Sequence, residues 1–253
     1  MKHRVSNTKL HSKVYRGGKE EATRHAPGRH PAYRVIRRGA DNDANKGRRR
    51  EAAWYKDPMN VIITGVGGQG NVMASRVLAG MLVSEGYFVT IGETFGMSQR
   101  GGSVMSHLRI SRESVLSPQI PQGKADIIVG LEPAEALRVL TRYGNPDVAV
   151  LINSRVVYPI GVITGELSYP SLSEIESIFK KLTAHSWLID ATIAAVELGN
   201  PVLSNIVMIG AFTKTGLLPI DRIAFAREIN KSMSADKCAL NLKAFDAGCE
   251  MIK

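Results

Sequence analysis

A short apolar run, Asn60-Val-Ile-Ile-Thr64, leads directly into Gly65-Val-Gly-Gly-Gln-Gly70 and then into residues 72–85, where apolar side chains recur at helical spacing. Strand, glycine turn and helix in this order commit the chain to a βα unit, because a strand apolar on both sides needs a layer of helices to cover it. The pattern then recurs. Strands are expected at 87–91, 103–110, 125–131, 148–152 and 187–189, with helices at 133–143 and 171–182. From residue 191 onward the chain turns helical, over 191–198, 204–215, 220–233 and 239–251. This predicts an α/β fold: a Rossmann-like, mostly parallel sheet flanked by helices, with a helical C-terminal region.

Charge divides the chain of 253 residues unevenly. Residues 1–58 hold 16 Lys and Arg against 6 Asp and Glu, a net of +10, whereas residues 59–253 hold 17 of each. The basic segment lacks sustained periodicity and is punctuated by Gly, Pro and Asn, so it reads as a disordered leader ahead of a single domain over 59–253. Met59 stands directly before the first strand. Because the domain is neutral, it offers no overall positive field for a polyanion, and a nucleic-acid partner is not expected. No apolar run reaches the length of a membrane span, and no secretory core opens the chain, which points to a cytoplasmic protein without a membrane partner.

The glycines satisfy G-x-G-x-x-G between a strand and a helix, a turn that can bring backbone N–H groups near a phosphate. Close packing of strand on helix would use the same glycines. Glu93, 23 residues after Gly70, stands about where a ribose-binding acid would, so a self-contained NAD-dependent oxidoreductase is one reading. A second stretch, Thr94-Phe-Gly-Met-Ser-Gln-Arg-Gly-Gly-Ser103, gathers Ser98, Gln99 and Arg100 with Gly101 and Gly102. If both glycine loops meet at the carboxyl ends of adjacent parallel strands, Arg100 can face a phosphate or carboxylate. Contact with another subunit is the other role open to this stretch.

Catalytic signatures are missing. The chain has no H-E-x-x-H, no P-loop, no nucleophile elbow and no C-x-x-C, and its two cysteines, Cys238 and Cys249, cannot complete a cluster or a zinc site. His107 lies in an apolar strand pattern and reads as structural; Asp190 either caps the helix that follows it or faces the site from a strand end. Without a nucleophile or an acid/base pair, the chain reads as a binding and assembly subunit rather than a complete catalyst, with no metal site and no catalytic residue of its own.

The two glycine segments, Asn60–Gly70 and Gly96–Val104, together with Ala125-Asp-Ile-Ile-Val-Gly-Leu-Glu-Pro-Ala-Glu135, Asp190-Ala191, Ala195, Gly199-Asn200, Asn205 and Gly210-Ala211, resemble the gamma-type domain of 2-oxoacid:ferredoxin oxidoreductases. Within that family the chain is similar to the beta-subunit branch of the indolepyruvate ferredoxin oxidoreductases. The resemblance covers about residues 59–250 and leaves the leader outside. It implies that a partner alpha subunit carries thiamine diphosphate, magnesium and iron–sulfur clusters, and that this chain binds none of them alone. It further implies that the complex oxidatively decarboxylates an arylpyruvate with coenzyme A and reduces ferredoxin. Carried onto this sequence, the family motifs point to Gly65, Gly67, Gly68, Gly70, Ser98, Gln99, Arg100, Gly101 and Gly102 as the functional surface, on coenzyme A or on the partner subunit.

Overall fold

The structure, a computed structural model, describes residues 56–95 and 102–253, together with the backbone of Leu10–Lys13 and Val35–Ile36. In chain order the elements are β1 (Leu10–Lys13), β2 (Val35–Ile36), β3 (Met59–Val66), α1 (Asn71–Ser84), β4 (Phe88–Phe95), β5 (Ser103–Ser111) and β6 (Ile127–Gly130). They continue with α2 (Pro133–Tyr143), β7 (Ala149–Asn153), α3 (Ile160–Ile163), α4 (Leu172–Leu182), β8 (His185–Ile189), α5 (Ala191–Glu197), a 3-10 turn (Pro201–Leu203), α6 (Ser204–Lys214), α7 (Arg222–Ile229) and α8 (Ala235–Glu250). The expected α/β class is borne out, with strand and helix starts within a few residues of their sequence signals.

One sheet runs in the order β1-β4-β5-β3-β6-β7-β8, with β2 also on β4. Its two halves differ. β3, β6, β7 and β8 are parallel neighbours, whereas β5 runs antiparallel to both β3 and β4. The expectation of a mostly parallel sheet is therefore corrected to a mixed one. The reason lies in the connection between β4 and β5: seven residues, 96–102, are too few for a crossover helix, so the chain must turn back as a hairpin. Two short pieces of the leader, β1 and β2, pair antiparallel with β4, where an edge strand leaves N–H and C=O groups to be satisfied. The sequence reading assigned them no order, since neither piece has a periodic pattern.

Alternation along β3 feeds two cores. Met59, Val61 and Ile63 point to one face, where α1 and the C-terminal helices α5 to α8 pack. Ile62 points to the other, covered by α2 and α4. At the crossing of α6 and α8, Gly210 and Gly248 bring backbones together: a Cβ on Gly210 would sit 1.9 Å from the Phe245 carbonyl oxygen, and one on Gly248 1.9 Å from that of Val207. The apolar-all-round sequence of α6 is thereby explained as burial between α8 and the sheet face.

Candidate functional site

The carboxyl ends of β3, β6, β7 and β8 share one edge of the sheet, the position at which open α/β sheets place ligand crevices. The glycine loop 65–70 lies there and opens α1. Gly70, its last residue, is at φ 84° and ψ 25°, a left-handed conformation that a side chain disfavours, and provides no side-chain cap. A Cβ there would also sit 2.2 Å from Nδ2 of buried Asn205 on α6. Gly65 is required by proximity, since its Cβ would lie 2.6 Å from Gln69 Oε1 and 3.0 Å from Leu131 Cβ. Gly68, at the exposed tip, has open space around it.

The amides of the loop are largely turned inward. The Val66 N–H donates to Gln69 Oε1 (2.8 Å), the Gln69 N–H to the Val66 carbonyl (3.2 Å) and the Gly67 N–H to the Gly102 carbonyl (2.8 Å). Gln69 Nε2 then donates to the Leu131 carbonyl at the end of β6 (3.0 Å). Gln69 thus folds its amide into the hollow beside Gly65, the hollow that a phosphate would need. The loop is a packed junction between β3, β6 and the β4–β5 hairpin. The first-turn N–H groups of α1 precede its first helical bond, from the Ala74 N–H to the Gly70 carbonyl (3.0 Å), and so stand outside the helix's own ladder.

The two glycine stretches meet, as the sequence suggested, but through an antiparallel hairpin rather than adjacent parallel strands. Val66 stands opposite Ser103 and Phe95 opposite Val104, which puts Gly102 and Ser103 beside the glycine loop. Ser103, at the foot of the hairpin, donates to Glu135 Oε2 on α2 (2.6 Å) and receives a hydrogen bond from Arg138, which also pairs with Glu135 (2.7 Å). Of the expected site residues, Gly65, Gly67, Gly68, Gly70 and Gly102 are gathered here. Ser98, Gln99, Arg100 and Gly101 lie outside the described residues.

Next to this junction sits a polar hub that sequence reading missed. Glu132, 1% exposed, follows the end of β6 and caps α2: its carboxylate accepts the Glu135 N–H (2.8 Å), the Val157 N–H (3.3 Å) and the Tyr169 hydroxyl (2.5 Å). Burial raises its pKa, opposed by those three hydrogen bonds. Burial and the neighbouring carboxylate push the Tyr169 hydroxyl well above the ordinary phenol range. The one available signal was the order Glu132-Pro133, an acceptor directly before a proline at the first helical position.

The remaining candidates have local roles. His107 is buried, accepts the Ile120 N–H on Nδ1 (3.3 Å) and meets Tyr143 edge to face; burial, with Arg142 adding to it, pulls its pKa down to about 4. It is structural, as the strand pattern indicated. Asp190 makes no side-chain cap on α5; it accepts from Ser154, while Asn153 Oδ1 takes the Thr192 N–H (3.3 Å). Glu93 is buried on β4 and faces Ser106 of β5, so a whole strand separates it from β3, roughly 10 Å across the sheet. A ribose acid belongs on the strand next to the glycine turn. The geometry gives the NAD reading no support.

The described residues do not fit the cofactors that the resemblance implies for the complex. Among them no group of three or more His, Cys, Asp or Glu side chains could hold a metal ion. Cys238 and Cys249 stand eleven positions apart on α8, roughly 16 Å along its axis, too far to share a cluster, and donate instead to the carbonyls of Met233 and Gly210. Among the described residues no helix is long and apolar enough to cross a membrane.

An α/β domain whose glycine loop is tied to the neighbouring hairpin through the Gly67 N–H and the Gly102 carbonyl defines the class. The chain belongs to the pyruvate ferredoxin/flavodoxin oxidoreductase family, whose model matches residues 60–251. It is similar to the indolepyruvate oxidoreductase subunit IorB of Pyrococcus horikoshii, 39% identical over 195 residues that make up 77% of this chain and 96% of that protein. Among solved structures, the pyruvate oxidoreductase subunit PORC of Thermotoga maritima shares the fold at TM-score 0.56 and 21% identity, over 78% of this chain and 98% of that one. The 2-oxoglutarate:ferredoxin oxidoreductase of Magnetococcus marinus does so at TM-score 0.58 and 20% identity, over 78% of this chain and 31% of a much longer one. The expected gamma-type subunit of a 2-oxoacid:ferredoxin oxidoreductase is thereby borne out.

Proposed function

We propose that this chain is the cofactor-free subunit of a complex that oxidises arylpyruvates, indolepyruvate foremost. The observation that carries the reading is likeness to an indolepyruvate oxidoreductase subunit across nearly that protein's full length, with the glycine loop and hairpin inside the matched span. In the reaction, the 2-oxoacid loses its carboxylate as CO2, its acyl carbon forms a thioester with coenzyme A, and the two electrons released pass one at a time to two ferredoxins. An alpha subunit supplies thiamine diphosphate with magnesium and the iron–sulfur clusters; the complex works in the cytoplasm.

The contribution of this chain is a shaped edge. The glycine loop, with Gly65, Gly67, Gly68 and Gly70 tied to Gly102 through the Gly67 N–H, leads into the first turn of α1, and together with Ser98, Gln99, Arg100 and Gly101 it serves the partner's active centre. Arg100, a cation amid uncharged residues, suits a phosphate of coenzyme A or the substrate carboxylate. Residues 1–58 form a leader, two short pieces of which pair with β4, that the domain over 59–253 does not need for the reaction.

The test is co-production with the cluster-bearing subunit, followed by purification and assay of coenzyme A-dependent ferredoxin reduction with indolepyruvate. A stable complex that turns over is expected. Recovery of this chain alone as a monomer, with 2-oxoacid oxidation unaffected by its deletion, overturns the reading. Within an intact complex, Arg100→Ala is expected to raise KM for coenzyme A or the 2-oxoacid; unchanged kinetics remove Arg100 from the site.

A further inference from the structure

We propose that the leader is a tethered edge cap: Leu10–Lys13 and Val35–Ile36 close the outer edge of β4 and keep it from pairing with the β4 edge of a second copy of this chain. The inference does not depend on the functional reading above. β4 is the kind of edge that invites pairing. It runs for eight residues, Phe88–Phe95, holds no Pro, and carries Glu93 as its one charge. Its ladder with β5 pairs every residue in turn, from Phe88 opposite Ser111 to Phe95 opposite Val104, so no bulge twists the strand away from a newcomer. At the opposite edge of the sheet, β8 is only five residues long.

Two separate pieces of the leader fit this edge end to end. Leu10 to Lys13 stand opposite Thr94 to Ile91, and Val35 and Ile36 stand opposite Thr90 and Val89, both pieces antiparallel to β4. Residues 89–94 are thereby covered without a gap or an overlap. The second piece begins where the first ends, and the chain between them, residues 14–34, leaves the edge opposite Ile91 and returns to it opposite Thr90.

Position selects the chain's own leader over a second copy as the occupant. Ile36 stands opposite Val89, Val89 opposite Ile110 and Ile110 opposite Met59, so the end of the second piece and the start of the domain lie in one row across the sheet. Three strand spacings separate them, about 14 Å. Residues 37–58 are more than enough to join the two, since an extended chain covers about 3.3 Å per residue. A link of this length presents the leader to the edge at an effective concentration on the order of millimolar, which a second copy at micromolar concentration does not match. The family match begins at residue 60, so the cap lies outside the shared domain.

The test uses the full-length chain carrying His11→Pro, Ser12→Pro, Val35→Pro and Ile36→Pro together. Successive residues of a strand turn their N–H groups to opposite sides, so each adjacent pair of prolines takes one donor from the β4 ladder. A control carries Ala22→Pro with Thr23→Pro, outside both pieces. By sedimentation at tens of micromolar, the unsubstituted chain and the control are expected to be monomers and the fourfold variant to self-associate, with cooperative thermal unfolding retained in all three. In dilute, monomeric samples, amides at alternate positions across 89–94 are expected to exchange about tenfold faster in the variant, and to regain protection when it associates. A fourfold variant that stays monomeric overturns the capping role. Unchanged exchange in β4 overturns the pairing, and association that leaves these amides unprotected runs through another surface and overturns the proposal as well. An unsubstituted chain that is already a dimer, dissociated by the prolines, overturns it in favour of a leader supplied by a second copy.

Discussion

Gly70→Ala separates two effects that meet at one residue. The left-handed backbone there, φ 84°, costs an L side chain about 1–2 kcal/mol. The new Cβ would also lie 2.2 Å from Asn205 Nδ2 and 3.2 Å from its Cγ, more than an ångström inside ordinary contact with a side chain that is 1% exposed. Overpacking of this kind adds about 1–3 kcal/mol. The total is about 3 kcal/mol, which at a urea dependence of about 2 kcal/mol per molar lowers the unfolding midpoint by about 1.5 M. Gly68→Ala is the internal control: φ is +105° but nothing lies within 4 Å, so it carries the backbone cost alone. Asn205→Ala removes the obstruction, and in that background Gly70→Ala is expected to cost only about what Gly68→Ala costs. A double-mutant cycle by urea denaturation thus has a coupling of about 1.5 kcal/mol. Additivity within about 0.5 kcal/mol would refute the contact between the glycine loop and α6.

Other perturbations report on other parts of the domain. His107 stays neutral in the fold down to about pH 4, while in the unfolded chain it takes up a proton near 6.5, so stability falls as pH drops from 6.5 toward 4, by about 3 kcal/mol; NMR titration of the ring and a flatter acid-unfolding profile for His107→Gln check this. Gly210→Ala and Gly248→Ala would each gain about 1 kcal/mol in an open helix, yet the 1.9 Å approach to backbone carbonyls is expected to reverse the sign, lowering stability by about 2 kcal/mol or more in thermal melts. Gln69→Ala leaves the Val66 N–H without its side-chain acceptor and takes one of two donors from the Leu131 carbonyl, which Asn153 Nδ2 also reaches (3.3 Å), and is expected to cost about 1–3 kcal/mol, with faster hydrogen exchange at Val66 as the local signature. A chain beginning at Met59 is expected to fold and to support activity in the complex; loss of either would make the leader integral.

Legibility in the sequence follows the range of the interactions. Strand β3, the glycine turn and α1 were readable because their signals are local: an apolar run, left-handed glycine, then 3.6-residue spacing. The amphipathic α4 was readable too, its Ser171 and Glu174 closing a capping box across three residues. Direction was not. Nothing in Ser103–Ser111 distinguishes a strand entering the sheet upward from one entering downward; only the seven-residue connection from β4 excludes a crossover. Glu132 escaped notice because its meaning depends on Val157 and Tyr169, 25 and 37 positions away. Asp190 looked like a cap because caps are read from neighbours, whereas the group that serves α5 is Asn153 on the adjoining strand.

The antiparallel β5 also decides what the glycine loop can be. In a dinucleotide fold, the strand beside the glycine turn is parallel and ends in the acid that reads the ribose, and the loop amides face the diphosphate. Here the neighbour of β3 on that side arrives antiparallel, and its first residues, Gly102 and Ser103, lie at the level where a nucleotide would enter. The Gly67 N–H is spent on the Gly102 carbonyl, Gln69 fills the hollow beside Gly65, and the only acid at the expected spacing, Glu93, is displaced a full strand away. One reversed strand thus converts a nucleotide cradle with the right glycine spacing into a packed junction that opens into the first turn of α1. Such a turn serves a neighbouring subunit as readily as a phosphate, which is why G-x-G-x-x-G alone could not separate a self-contained dehydrogenase from a subunit of a larger oxidoreductase.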